Sequence, residues 1–306
     1  NRGKSYDLHP NIYIILYAFS GARKGPPINL AEKLVSMTDA TRVIAGRSSI
    51  EAIIKELGTF KTRPGKEPFK DSCGFIVASE LSSSIIGNPQ AMEIMTDLYD
   101  RHYRTTDAWE YRLKVGESTS LKKPTITWLG GTNEALFRDF MPEKNIHGGL
   151  IGRSYVIMES QPNRLNSLMI DPSEFPDTLK MTEILKCISK MNGQFTMNDE
   201  IRNELDVFYM KFMRDTAPAL KDETGFVSRT LDFILKNAMI IAAGRKGHLI
   251  LDAESVKEAM EVTLPLILPT RKISQTTKKL DATGPEKRAL ILRYIVNHNY
   301  TATRAE

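Results

Sequence analysis

The chain has 306 residues, 41% of them hydrophobic and 26% charged, with a net charge of +5 and a pI near 9.0. This is the composition of an ordinary soluble globular protein with room for more than one domain, and its modest positive charge permits a nucleic-acid partner without demanding one. The two cysteines, Cys73 and Cys187, follow no metal spacing and make no disulfide framework, and no apolar run approaches the ~20 residues of a membrane span. No signal peptide is evident, so the cytoplasm is the expected location. The ends, Asn1 without a methionine and "NYTATRAE" opening a helix, read as those of a piece of a longer protein.

In chain order, Asn11–Ala18 is a short apolar run without alternation, the pattern of a strand buried on both faces. A helix follows from about Pro26, with Ile28, Ala31, Leu34 and Val35 at helical spacing. Arg42–Ala45 is a second strand. Ser48 caps a helix through Leu57, with Ser48, Ser49 and Glu51 forming a near capping box. Thr59–Asp71, with Pro64 and Pro68, is a loop. Gly74–Glu80 ("GFIVASE") is another buried strand, and Asn88–Tyr99 a helix. Trp109–Thr119 alternates around a glycine as a β-hairpin does. "PTITWLGGTN" is a strand ending in polar residues, Glu134–Phe140 a short helix, and Ser154–Ser160 the last strand.

After Ser160 the pattern is helical throughout: Thr178–Asn192, Met197–Arg214, Thr224–Ala243 and Ala253–Leu264. Strands alternating with helices, then helices alone, predict an α/β core over residues 1–160 and a helical lid over 161–267. Residues 268–284 are polar and basic and read as a linker. Residues 285–306 read as one helix, with Leu290, Ile291, Tyr294 and Ile295 apolar, and the start of a second, as a winged-helix module begins.

Five stretches carry candidate chemistry. In "FSGARKGPP", backbone N–H groups of Gly21, Lys24 and Gly25, with the charges of Arg23 and Lys24, can cradle phosphates over Ser20–Gly25, Ala22 included. The GxxxxGK[ST] pattern is broken: Ala18 and Arg23 stand at its glycines and Gly25 at its hydroxyl position. By itself the stretch is equally a plain strand–turn–helix connection. Glu80, ending an apolar strand, can hold Mg²⁺ or orient an attacking water, with Ser79 where an aspartate is usual; it is equally a solvated strand end. Asn133 can hold a water near a γ-phosphate or cap the next helix. Arg153, after "HGGLIG", can reach a neighbouring subunit's nucleotide or be a surface arginine. Arg229, early in a lid helix, can contact the γ-phosphate or be a surface charge.

The order of these elements resembles that of AAA+ proteins. In "HPNIYIILYAFSGARKG", "FIVASELSSSIIG", "PTITWLGGTNEALF" and "GGLIGRSYVI" the chain is similar to the P-loop ATPase domain of phage and plasmid replication proteins, which are often fused to primase domains and are related to MCM-like helicases. The likeness covers Leu8 to Ser160 and, more loosely, the lid segments "SRTLDFILKNAMIIAA" and "LDAESVKEAMEV". It implies a parallel-sheet AAA+ core, ATP and Mg²⁺ as cofactors, a homo-oligomeric ring, a hexamer by expectation, and translocation on single-stranded or forked DNA. It implies that Lys24 holds phosphates, Glu80 polarises water and touches the metal, Asn133 and Arg229 sense the γ-phosphate, and Arg153 acts in trans. The hairpin would point Arg112, Lys114, Lys122 and Lys123 at DNA phosphates, with a solvated, charged hairpin as the alternative. Gly25 and Ser79 depart from the pattern and keep a second reading open: a module that binds nucleotide and DNA and assembles but turns over little. A third is a DNA-binding scaffold without a nucleotide.

Overall fold

The computed structural model describes residues 7–46, 48–59, 69, 71–81, 88–100, 108–112, 118–133, 137, 149–159 and 177–276. Two compact units divide the chain: residues 1–141 with 157–190, and residues 142–156 with 191–306.

A central parallel five-stranded sheet is built from the apolar runs β1 (Tyr13–Ala18), β2 (Arg42–Ala45), β3 (Cys73–Ala78) and β6 (Thr125–Thr132) of the first unit and β7 (Ser154–Glu159), in which the division between the units falls, in the order β2-β3-β6-β1-β7. The register pairs Tyr13 with Trp128 and Leu16 with Gly131 across β1 and β6, and Ala78 with Gly130 across β3 and β6. Alternate residues face opposite sides of a strand. Ile14, Leu16, Val43, Phe75, Val77 and Leu129 pack with Ile28, Ala31 and Val35 of helix α1 (Gly25–Thr38). On the other face, Tyr13 meets Trp128 and Tyr99 edge-on, with centroids 5.7 and 4.9 Å apart, and its hydroxyl donates to the Met95 carbonyl of α3 (Pro89–Tyr99). Residues buried on both faces explain why these strands show runs rather than alternation.

Local signals act as expected in most places. Asn88 caps α3 by accepting from the N–H groups of Gln90 and Ala91. In α2 (Ile50–Leu57) the cap is Ser49, which accepts from Ala52 N–H, rather than Ser48. In place of a hairpin confined to Trp109–Thr119, β4 (Ala108–Tyr111) pairs antiparallel with β5 (Thr119–Lys122), with Trp109 opposite Leu121, so the return strand begins where the expected span ends. The short helix over Glu134–Phe140 lies outside the described residues save Phe137, and so does the winged-helix start over 285–306.

Helix α4 (Thr178–Ser189), expected in a lid, belongs to the first unit and packs on α1, where the Thr182 hydroxyl approaches the Met37 sulfur at 3.8 Å. The second unit holds α5 (Asp199–Lys211), a π-turn (Phe212–Thr216), α6 (Ala217–Leu220), α7 (Thr230–Lys246) and α8 (Ala253–Thr263). A two-residue parallel bridge, β8 (Thr196–Met197) with β9 (Ile250–Leu251), pairs the segment before α5 with the connection between α7 and α8. Helices α7 and α8 pack together, and Asn237 of α7 donates to the Thr263 hydroxyl of α8 at 2.8 Å. Residues 268–276, read from sequence as the start of a linker, belong to a helix, α9 (Ile267–Thr276), in which Ile267 and Thr270 are buried despite the polar composition around them. Among the described residues, no helix is long and apolar enough to cross a membrane.

Candidate functional site

Strand order decides where chemistry can gather. From β1 the chain crosses through α1 to the far edge at β2, then steps back through β3 to β6, and adds β7 beyond β1. The connections leaving the neighbours β1 and β6 therefore run in opposite directions. Open parallel sheets bind ligands at the carboxyl ends of strands at such a switch point. Lys24 follows β1, Asn133 follows β6, and Glu80 follows β3, the next strand along.

The loop after β1 is tightly wound. Gly21 has φ +88° and Arg23 φ +54°, and Ala22 N–H donates to the Phe19 carbonyl. A left-handed φ suits glycine and costs an arginine roughly 1 kcal/mol or more. Lys24 occupies the N-cap position of α1, and its ammonium donates to the carbonyls of Ala18 and Phe19, both at 2.9 Å. An ammonium has three N–H donors; two are thus folded back onto the end of β1. Pro26 and Pro27 fill the first turn of α1. Proline has no N–H, so this helix start offers fewer donors to an anion than a usual one. Any phosphate held here rests on the loop N–H groups and the charges of Arg23 and Lys24.

The β6 tip closes the other side. A Cβ built on Gly131 would lie 2.7 Å from the Ser79 carbonyl oxygen, 3.3 Å from Ile28 Cδ1 and 3.7 Å from Lys24 Cβ. Leu81 N–H donates to the Gly131 carbonyl at 2.6 Å. The backbone thus brings Lys24, residues 79–81 and the β6 tip together, with Ser79 and Glu80 exposed and Leu81 buried against Gly130. Asn133 is half-buried, and its carbonyl accepts from Phe137 N–H at 2.9 Å.

Gly25 has no hydroxyl and Ser79 no carboxylate, and among the described residues no group of three or more His, Cys, Asp or Glu side chains that could hold a metal ion occurs. A hard divalent cation needs several oxygen ligands. Burial, with Asp71 beside it, pushes the Cys73 thiol up to about 12.

Arg153 and Arg229 belong to the second unit and sit on two 3-10 turns, Ile151–Arg153 and Val227–Arg229, which are in contact. Each guanidinium donates to the carbonyl four residues before it, Arg153 to Gly149 and Arg229 to Gly225, both at 2.9 Å.

The hairpin lies at the other end of the sheet from the Lys24 loop. Lys122 and Ser72 exchange two hydrogen bonds, at 2.7 and 2.9 Å, beside the starts of β3 and β6. The eight residues of β6 separate the two ends by about 25 Å. Arg112 is exposed and paired with Glu110 at 2.5 Å, and Lys122 and Lys123 are exposed at the hairpin's base. Lys114 lies outside the described residues. Trp109 stacks on Tyr111 and donates to Asp97, so the hairpin is anchored through its aromatic face.

Gly131, Gly152 and Asp222 stand out in the structure but not in sequence reasoning; the paired glycines of "LGGTN" and the Asp-x-Thr-Gly run of "DETGF" are the signals available for them. Neither protein-family models nor curated proteins yield a match to this chain.

Proposed function

We propose that this chain is the AAA+-type P-loop motor of a ring-forming, ATP-dependent DNA helicase serving the replication of a phage, plasmid or other mobile element. The observation that carries the reading is the meeting of the Lys24 loop, residues 79–81 and the β6 tip at the carboxyl ends of strands ordered β2-β3-β6-β1-β7. In this reading the Lys24 ammonium leaves the Ala18 and Phe19 carbonyls for phosphate oxygens, Glu80 orients the attacking water, and the Asn133 amide holds that water near the γ-phosphate. Arg153 stabilises transition-state charge at the site of a neighbouring copy in the ring, and Arg229 is the γ-phosphate sensor. Mg²⁺ enters as part of the metal–nucleotide substrate. Lys122, Lys123, Arg112 and Lys114 follow DNA phosphates from the opposite end of the sheet, and a primase domain or protein works alongside.

Gly25, Pro26, Pro27 and Ser79 favour a second reading: a module that binds nucleotide and DNA and assembles, with little turnover. Subunit mixing separates the two. K24A and R153A subunits are each expected to hydrolyse ATP ~1,000-fold or more slowly than the parent, with a small residual rate left. A one-to-one mixture places an intact loop beside an intact arginine at about a quarter of the interfaces of a head-to-tail ring, and ATPase activity should return in that proportion. An R153A protein that hydrolyses at the parent rate removes the trans role. A parent protein that binds an ATP analogue without phosphate release establishes the second reading instead.

A further inference from the structure

The two arginine turns share a support that the ATPase reading does not use. The Asp222 carboxylate ties down the segment that leads into the Val227–Arg229 turn. Its Oδ1 accepts from Thr224 N–H at 2.9 Å and from the Thr224 hydroxyl at 2.7 Å, and its Oδ2 accepts from Val227 N–H at 2.8 Å. The Thr224 hydroxyl in turn accepts from Phe226 N–H at 3.1 Å, and the turn closes through Arg229 N–H to the Phe226 carbonyl at 3.0 Å. One carboxylate thus fixes the backbone from residue 222 to the base of Arg229.

The same segment receives the other turn. Gly152 is buried, and a Cβ on it would overlap the Thr224 carbonyl oxygen and lie 2.9 Å from that carbonyl carbon and 3.2 Å from that of Gly225. Backbone therefore meets backbone, without a flexible side chain between them. Leu150 and Ile151 are buried beside it, so the turn that ends in Arg153 has little freedom to move independently. The buried Arg271 guanidinium is within electrostatic reach of Asp222.

We infer that Asp222 is a positioning residue for Arg153 and Arg229, setting Arg229 through the Val227–Arg229 turn that it ties down and Arg153 through the backbone contact of Gly152 with Thr224 and Gly225. The inference rests on the proposed role of the two arginines in hydrolysis. A misplacement of about 1 Å at a reacting centre can cost ~100-fold in rate, so one hydrogen-bonding group remote from the nucleotide can matter to turnover without touching it.

The test is D222N, which retains one acceptor oxygen for Thr224 but presents an amide N–H₂ or leaves no acceptor where Val227 N–H needs one. Thr224→Val, which deletes the hydroxyl at nearly constant volume, is read in the same way and stands in if D222N does not fold; misfolding of both makes the carboxylate a folding element and overturns the inference. Calorimetry with an ATP analogue and steady-state phosphate release are measured on the full chain. The expected result is a fall in kcat of about 100-fold with analogue affinity changed by less than about threefold. In an R153A/R229A background D222N should add less than about threefold, because a residue acting through the arginines has nothing left to position. If R153A and R229A both hydrolyse at the parent rate, the arginine reading fails and the inference with it. If they are slow but D222N is not, or if D222N weakens analogue binding or costs the same factor in both backgrounds, the inference alone fails.

Discussion

Gly131→Ala tests whether the three elements of the candidate site meet as closely as described. The added methyl would sit 2.7 Å from the Ser79 carbonyl oxygen, 3.3 Å from Ile28 Cδ1 and 3.7 Å from Lys24 Cβ. Ile28 Cδ1 is the end of a flexible side chain, and Lys24 Cβ is at ordinary contact distance. The carbonyl is backbone, fixed two residues on by the Leu81–Gly131 hydrogen bond of 2.6 Å. A relaxed carbon–oxygen contact of about 3.4 Å requires residues 79–81 to retreat by about 0.7 Å, the difference from 2.7 Å. Overpacking of this kind costs about 1–3 kcal/mol, the upper end applying if the hydrogen bond, itself worth about 1 kcal/mol, is lost. Gly25→Ala is the matched control beside the same lysine. A Cβ there meets nothing within 4 Å, and replacing glycine in a helix gains up to about 1 kcal/mol. The two variants should therefore differ by about 2 kcal/mol or more in urea unfolding followed by tryptophan fluorescence. Both tryptophans, Trp109 and Trp128, lie in the first unit, and Trp128 is fully buried, so the signal reports the right part of the molecule. Affinity for an ATP analogue should fall in Gly131→Ala and hold in Gly25→Ala. Equal unfolding free energies, within about 0.5 kcal/mol, would refute the close meeting of β6 with Ser79.

The same open space at Gly25 admits a hydroxyl, so Gly25→Ser should gain metal dependence: calorimetry with an ATP analogue is expected to show parent affinity nearly equal in Mg²⁺ and EDTA, and the variant tighter in Mg²⁺ by about tenfold, or 1.4 kcal/mol. Parent binding abolished by EDTA would contradict the reading that Arg23 and Lys24 carry the phosphate charge. Charge reversal at Lys122 and Lys123 should weaken DNA binding equally across sequences and reduce the slope of log affinity against log salt by about one per lost phosphate contact; an unaltered slope places these lysines away from DNA. In the second unit Lys246, with Ser255 N–H, holds the Asp252 carboxyl down from 3.8 to about 2. Because the folded value is the lower one, the stabilisation is present above pH ~4 and is lost as pH falls towards ~2. Asp252→Asn keeps an oxygen to cap α8 but loses the ion pair, so its urea midpoint by circular dichroism should lie slightly below the parent's at pH 7 and meet it near pH 2; a gap that persists there would refute the assignment.

What the sequence determined by itself is what depends on neighbours along the chain. β2 is observed over the residues expected, Arg42–Ala45, and β1, β3, β6 and β7 fall within two residues of their expected ends, because an apolar run buried on both faces is a local pattern. The Asn88 cap, the proline-led start of α1 and the glycine-containing hairpin are local for the same reason. Lys24, Glu80 and Asn133 were legible as candidates because each follows a strand end. Tertiary structure alone decided that those ends lie together, since strand order is set by the path of the connections and not by any strand's own residues. It alone decided that α4 packs on α1 rather than in the helical unit, and that residues 268–276 are helical where polar composition suggests a linker. The packing requirements at Gly131 and Gly152 arise from Ser79 and Thr224, 52 and 72 residues away in the chain, as 131 − 79 and 224 − 152. A glycine's need for close approach is written in its partner's position, and that position exists only once the chain has folded.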